Sequence, residues 1–100
     1  MQHPSPPDPA SVDVLVIGRV QGVGFRFFAH ETACRLGLRG YVMNLRSGAV
    51  RAYAEGSRQS LEEFVRKMER GPAGSVVQRA HAVWGSPCGQ YARFSVESTR

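Results

Sequence analysis

The chain has 100 residues, 42% of them hydrophobic and 21% charged, which is the composition of one globular domain and not of a disordered chain. Its net charge of +5 favours an anionic partner, but charge alone does not separate a nucleic acid from a small phosphate compound. No apolar run approaches the roughly 20 residues that span a bilayer, so we expect no membrane partner.

The first ten residues contain four prolines and lack the apolar stretch of a secretory signal. We predict a disordered leader over residues 1–10 and one folded domain over residues 11–100. Cys34 and Cys88 have neither zinc-ligand spacing nor the spacing of a redox pair, so no metal site is predicted from them. A chain with no signal peptide and isolated cysteines is expected in the cytoplasm, with both thiols reduced.

The first half of the domain predicts a strand, a loop and a helix. Apart from Asp13, residues 12–17 are apolar and mostly β-branched, which is typical of a buried strand. A glycine-rich loop follows over residues 18–24. Apolar residues then recur at helical spacing over residues 25–36, and Gly37 suits the position that follows a helix.

The second half predicts a hairpin, a helix and two extended segments. Residues 41–45 and 50–55 are two short strands joined by a turn. Ser60 and Glu63 match a helix capping box, which predicts Ser60 as the N-cap of a helix that ends at Gly71-Pro72. Residues 75–84 predict a fourth strand, and residues 91–97 a final extended piece.

This order, β-α-β-β-α-β, predicts an α+β ferredoxin-like fold. We expect one antiparallel sheet of four or five strands, with both helices packed on one face. The side chains predicted to be buried between helices and sheet are Phe28, Leu36, Phe64, Val65 and Met68. The fold by itself does not specify a chemistry.

The loop between the first strand and first helix, GRVQGVGFR over residues 18–26, has the features of an anion site. Unpaired N–H groups at a helix N-terminus point in one direction, and Gly22 and Gly24 allow the backbone to curl around a tetrahedral anion. Arg26 can place its guanidinium across two phosphate oxygens. The alternative is a structural turn with a solvated arginine, since the loop is neither a Walker A loop nor a Rossmann fingerprint.

Residues 18–26 also resemble the signature of the acylphosphatase family. Residues 36–44 are similar to its second signature, in which glycine, an aromatic residue and valine precede an asparagine, here Asn44. Gly71-Pro72 after the second helix and the closing Phe94-x-Val96 strand fit the same family. The resemblance extends over about residues 12–97.

The resemblance implies a ferredoxin-like enzyme that hydrolyses acyl phosphates to a carboxylate and inorganic phosphate, with no metal or cofactor. It assigns phosphate binding to Arg26 and orientation of the attacking water to Asn44. The backbone phosphate cradle would comprise Gln21, Gly22, Val23, Gly24, Phe25 and Arg26. Acyl phosphate and inorganic phosphate are then the expected partners of a monomer that binds no nucleic acid.

Two other functions stay open from the sequence. The loop is also similar to that of the first domain of hydrogenase-maturation carbamoyltransferases, so a module that binds acyl or carbamoyl phosphate is one alternative. A basic RNA-binding ferredoxin-like domain is the other, although Tyr53 is the only aromatic residue of strand three. His30 lies one turn beyond Arg26. It could act as a base or form a phosphohistidine, but the favoured interpretation is an exposed helix residue with no catalytic role.

Overall fold

The computed structural model describes residues 8–100 and confirms the predicted order of elements. Two helices and five strands follow one another within residues 8–100. They are β1 (Pro9–Arg19), α1 (Phe25–Arg35), β2 (Arg39–Asn44), β3 (Val50–Ser57), α2 (Arg58–Arg70), β4 (Val76–Gly85) and β5 (Phe94–Val96).

The five strands form one sheet in the order β4-β1-β3-β2-β5. β3 is antiparallel to both β1 and β2 and lies between them, as in a split βαβ unit. The prediction of an antiparallel sheet is wrong at one edge, because β5 pairs with β2 in parallel, with Phe94 opposite Gly40. The reason is that residues 86–93 carry the chain from β4 to the opposite edge, where it enters β5 in the direction of β2.

Both helices pack on one face of the sheet, as predicted. Alternate residues of β1 point to that face and are fully buried, namely Val12, Val14 and Val16. The helices meet them with Phe25, Ala29, Ala33, Leu61, Phe64 and Met68, so one core holds both layers together. Of the predicted core residues, Phe64 and Met68 are fully buried, whereas Phe28, Leu36 and Val65 are only partly buried.

The start of α2 differs from the prediction. β3 continues to Ser57 and α2 begins at once, so Ser57 and not Ser60 is the N-cap. The Ser57 hydroxyl accepts a hydrogen bond from the Ser60 N–H at 3.2 Å. Glu63 is therefore too far along the helix to complete a capping box, and it pairs with Arg66 instead.

The domain also starts earlier than predicted. Pro9 and Ala10 belong to β1 and are paired with Ser57 and Gly56, so these two residues are part of the sheet and not of a leader. The rest of the predicted leader, residues 1–7, lies outside the described residues. Between residues 8 and 100, neither helix is long and apolar enough to cross a membrane.

Candidate active site

Three parallel strands end at the same side of the sheet, and their ends form one cavity. β1 leads there into the glycine-rich loop, β2 ends at Asn44, and β5 ends at Val96. The cavity has a volume of about 340 Å³. It is lined by Val20, Gly22, Gly24, Phe25, Arg26, Phe27, Asn44 and Val96.

The backbone of the loop presents the N-terminus of α1 to this cavity. Gly24 is the N-cap of α1. No side chain of residues 8–100 caps that end, and the first turn contains no acidic residue. Gly22 and Gly24 both have φ of 75°, a left-handed conformation that a residue with a Cβ adopts at a cost. Unpaired N–H groups and the positive end of the helix dipole thus face a space that can hold an anion.

The Gln21 side chain forms hydrogen bonds with the main chain of the β2–β3 hairpin and does not line the cavity. Its Nε2 donates to the carbonyl oxygens of Leu45 and Ala49, at 2.7 and 2.9 Å. These bonds join the glycine-rich loop to the β2–β3 hairpin and fix the distance between the loop and the end of β2. The sequence predicts only a backbone role for Gln21. The one signal for its side-chain contact is a single amide in a glycine-rich loop.

Arg26 lies in the first turn of α1 and is half-buried. Its Nη1 donates to the main-chain oxygen of Glu97 at 3.2 Å, which restrains the guanidinium at the cavity wall. That oxygen is itself held in place, because the Glu97 N–H donates to the Val42 oxygen at 2.8 Å. The contact between Arg26 and Glu97 depends on the parallel pairing of β5 with β2. It is therefore not predicted from the sequence, which predicts an antiparallel sheet.

Asn44 is the last residue of β2 and is paired with Val50. Its carbonyl oxygen accepts a hydrogen bond from the Arg100 N–H at 3.0 Å, and the N–H of Arg46 donates to the Arg100 oxygen at 2.9 Å. The main chain around Asn44 is therefore fixed by β3 on one side and by Arg100, beyond the end of β5, on the other. Its half-buried side chain lines the cavity together with Arg26.

His30 is not among the residues that line the cavity. Its Nε2 lies 3.6 Å from the Cys34 sulfur, and its ring packs 6.2 Å from that of Phe94. This position favours the interpretation of His30 as a helix residue. Across residues 8–100, no three His, Cys, Asp or Glu side chains are grouped in a way that could hold a metal ion.

Comparisons with known proteins agree with one another. The sequence model of the acylphosphatase family matches residues 12–96. An acylphosphatase of Syntrophotalea carbinolica is 52% identical over 69 residues, which cover 69% of this chain and 75% of that protein. One from Anaeromyxobacter sp. is 45% identical over 87 residues, covering 87% of this chain and 94% of the relative. The crystal structure of acylphosphatase from Bacillus subtilis matches with a TM-score of 0.85 and 34% identity, over 88% of this chain and 98% of that one.

Proposed function

The chain belongs to the acylphosphatase family, and we propose that Arg26 and Asn44 carry its hydrolysis of the carboxyl-phosphate bond of acyl phosphates. The observation that supports these roles most is that Arg26, Asn44 and the two glycines of the loop line one cavity at the N-terminus of α1. In this arrangement the Arg26 guanidinium binds the phosphate and the Asn44 carboxamide binds the attacking water.

The phosphoryl group is held by the backbone of residues 21–26 and by the Arg26 guanidinium. As the transition state forms, negative charge is spread over the equatorial phosphoryl oxygens. N–H groups that are already oriented towards these oxygens stabilise the charge without having to reorganise. The hydrogen bond from Arg26 to the Glu97 oxygen holds the arginine in place and leaves its other N–H groups for the phosphate.

Asn44 positions the water. Its carboxamide can both donate to and accept from a water molecule, and thereby aligns it with phosphorus opposite the acyl oxygen. The water oxygen forms a bond to phosphorus while the bond between phosphorus and the acyl oxygen breaks. The electron pair of the broken bond leaves with the carboxylate. The protons of the water remain with the phosphate product or pass to solvent. A carboxylate is a weak base, so its departure requires no protein acid.

The partners and location follow from the same proposal. Acyl phosphates and inorganic phosphate are the expected small-molecule partners, and the protein acts as a monomer in the cytoplasm. The free thiols of Cys34 and Cys88 are compatible with a reducing compartment. We expect no nucleic-acid binding, because β3 contains Tyr53 as its one aromatic residue and lacks the Lys/Arg-Gly-Phe/Tyr-Gly/Ala-Phe pattern of RNA-recognition domains.

The test is hydrolysis of benzoyl phosphate in ¹⁸O-labelled water, with and without EDTA. We expect turnover to survive chelation, and the label to appear in phosphate and not in benzoate. Label in benzoate would show attack at carbon and contradict the roles proposed for both residues. Loss of turnover in EDTA, restored by a divalent cation, would show that the reaction needs a metal.

A further inference from the structure

The cavity has an apolar side that the chemistry at phosphorus does not use. Among residues 8–100, four large hydrophobic side chains are exposed: Phe27, Val76, Val83 and Val96. Two of them, Phe27 at 67% exposure and Val96 at 47%, line the same cavity as Arg26 and Asn44. The other two lie on the edge strand β4.

The position of Phe27 on its helix explains its exposure. Phe25 is buried in the core and touches Phe28 edge to face, with ring centroids 5.9 Å apart. Phe27 is two residues beyond Phe25, or about 200° around the helix, and therefore points away from the core. Its ring thus adds little to the core, and it stands in the first turn of α1 beside the phosphate cradle.

The cavity is larger than a phosphate ion requires. A phosphate takes up the volume of two or three waters, each about 30 Å³ in the liquid. The observed volume of about 340 Å³ leaves most of the space for a second group. Since that group is joined to the phosphoryl oxygen in the substrate, the remaining space next to Phe27 and Val96 is where an acyl group would lie.

The chemistry of the lining restricts this acyl group. Of the lining residues between positions 8 and 100, Arg26 alone is charged, and it is assigned to the phosphate. A charged acyl group would leave water for Phe27, Val96 and the buried Val20, with no partner for its charge. An aromatic ring, in contrast, can lie against the Phe27 ring and remove apolar surface from water.

We propose that Phe27 and Val96 form the acyl subsite of this enzyme, and that its preferred substrates carry an aromatic or bulky apolar acyl group. Acetyl phosphate and zwitterionic aminoacyl phosphates are poorer substrates. This inference rests on the proposed function, because the subsite is defined by a phosphoryl group held in the cradle.

The test compares kcat/KM for benzoyl phosphate and acetyl phosphate in the wild type and in Phe27→Ala, Phe27→Leu and Val96→Ala. We expect Phe27→Ala to lower the benzoyl-to-acetyl ratio by about tenfold, the size of effect that an apolar pocket provides. Val96→Ala lowers the ratio less, and Phe27→Leu retains most of it. Inhibition by inorganic phosphate, which has no acyl group, stays unchanged in all three variants.

The matched control is Val83→Ala, because Val83 is 69% exposed but lies on β4, away from the cavity. It should leave the ratio unchanged. An unchanged ratio in Phe27→Ala, with both substrates hydrolysed normally, would overturn the acyl subsite and leave the proposed function intact. A wild-type protein that hydrolyses neither substrate would overturn the proposed function, and the subsite with it.

Discussion

Gln21 links the glycine-rich loop to the β2–β3 hairpin through a single side chain, and its replacement tests whether this link positions Asn44. Gln21→Ala removes two hydrogen bonds to hairpin carbonyls, each with a net value of about 1 kcal/mol. We expect a loss of about 2 kcal/mol in the free energy of unfolding and a lower kcat, since Asn44 is no longer held at a fixed distance from the loop. Chemical denaturation and steady-state kinetics measure the two effects.

Gln21→Glu serves as the isosteric companion to this variant. It retains the size of the side chain but places an acceptor against the carbonyl oxygens of Leu45 and Ala49, so it should be at least as damaging as Gln21→Ala. Full stability and activity in Gln21→Glu would show that the two hydrogen bonds do not position the hairpin.

Gly24 and Gly37 stand at opposite ends of α1 with nearly the same backbone, φ of 75° and 72°. A Cβ would meet open space at both positions, so alanine costs only the left-handed conformation, about 1 kcal/mol in each variant. Only Gly24 lines the cavity. We therefore expect Gly24→Ala, but not Gly37→Ala, to weaken phosphate binding in isothermal titration calorimetry. Equal phosphate affinity in the two variants would contradict a backbone cradle at Gly24.

At the scale of elements, a buried carboxylate fastens the connection between β4 and β5. Glu55 on β3 is fully buried and accepts hydrogen bonds from the Tyr53 hydroxyl and from the N–H groups of Cys88 and Gly89. Burial alone would raise the pKa of the Glu55 carboxyl, but these hydrogen bonds hold it below its usual value. Burial and the bond to Glu55 raise the pKa of Tyr53, so its hydroxyl stays a donor.

Glu55→Gln should accordingly lower the free energy of unfolding at neutral pH by about 2 kcal/mol, the value of a hydrogen bond to a charged group. Because the folded pKa is lowered, this stabilisation is complete above the unfolded pKa of about 4.3 and is lost as the pH falls through the folded value. The difference between wild type and variant should therefore shrink below about pH 4 in urea titrations. The exposed Glu62→Gln is the control, with an expected effect below about 0.5 kcal/mol. A difference that stays constant with pH would contradict an ionised Glu55.

The elements also show how far the sequence predicts this molecule. Local patterns predict the presence and order of the two helices, the hairpin and the loop, because hydrophobic periodicity and glycine positions depend directly on backbone structure. They do not predict that α2 begins directly after β3, with Ser57 as its N-cap. The direction of β5 was not predictable in this way, since it depends on which edge the chain reaches after β4. The contacts of Arg26 with Glu97 and of Asn44 with Arg100 depend on that direction, so they became visible only in the structure.

At the scale of the whole molecule, the net charge of +5 should attract a phosphorylated substrate over a distance. The screening length falls from about 30 Å at 0.01 M salt to about 10 Å at 0.1 M. We expect kcat/KM for benzoyl phosphate to fall several-fold over this range, while kcat changes little. A sucrose series of equal osmolarity is the control, and kcat/KM that is independent of salt would exclude such steering.

The assignment of separate roles to Arg26 and Asn44 is tested most directly by measuring kcat and the inhibition constant of inorganic phosphate in Arg26→Ala and Asn44→Ala. If Arg26 holds phosphate in every state of the reaction, as we propose, Arg26→Ala should weaken phosphate inhibition, and Arg26→Lys should restore little because a point charge does not span two oxygens. Asn44→Ala should lower kcat by about 10²-fold, comparable to the loss of one aligned hydrogen-bonding group, while phosphate binds as in the wild type. Arg19→Ala, an exposed cation at the end of β1, is the control for charge alone. Near-normal kcat in Asn44→Ala, or normal phosphate inhibition in Arg26→Ala, would contradict the account.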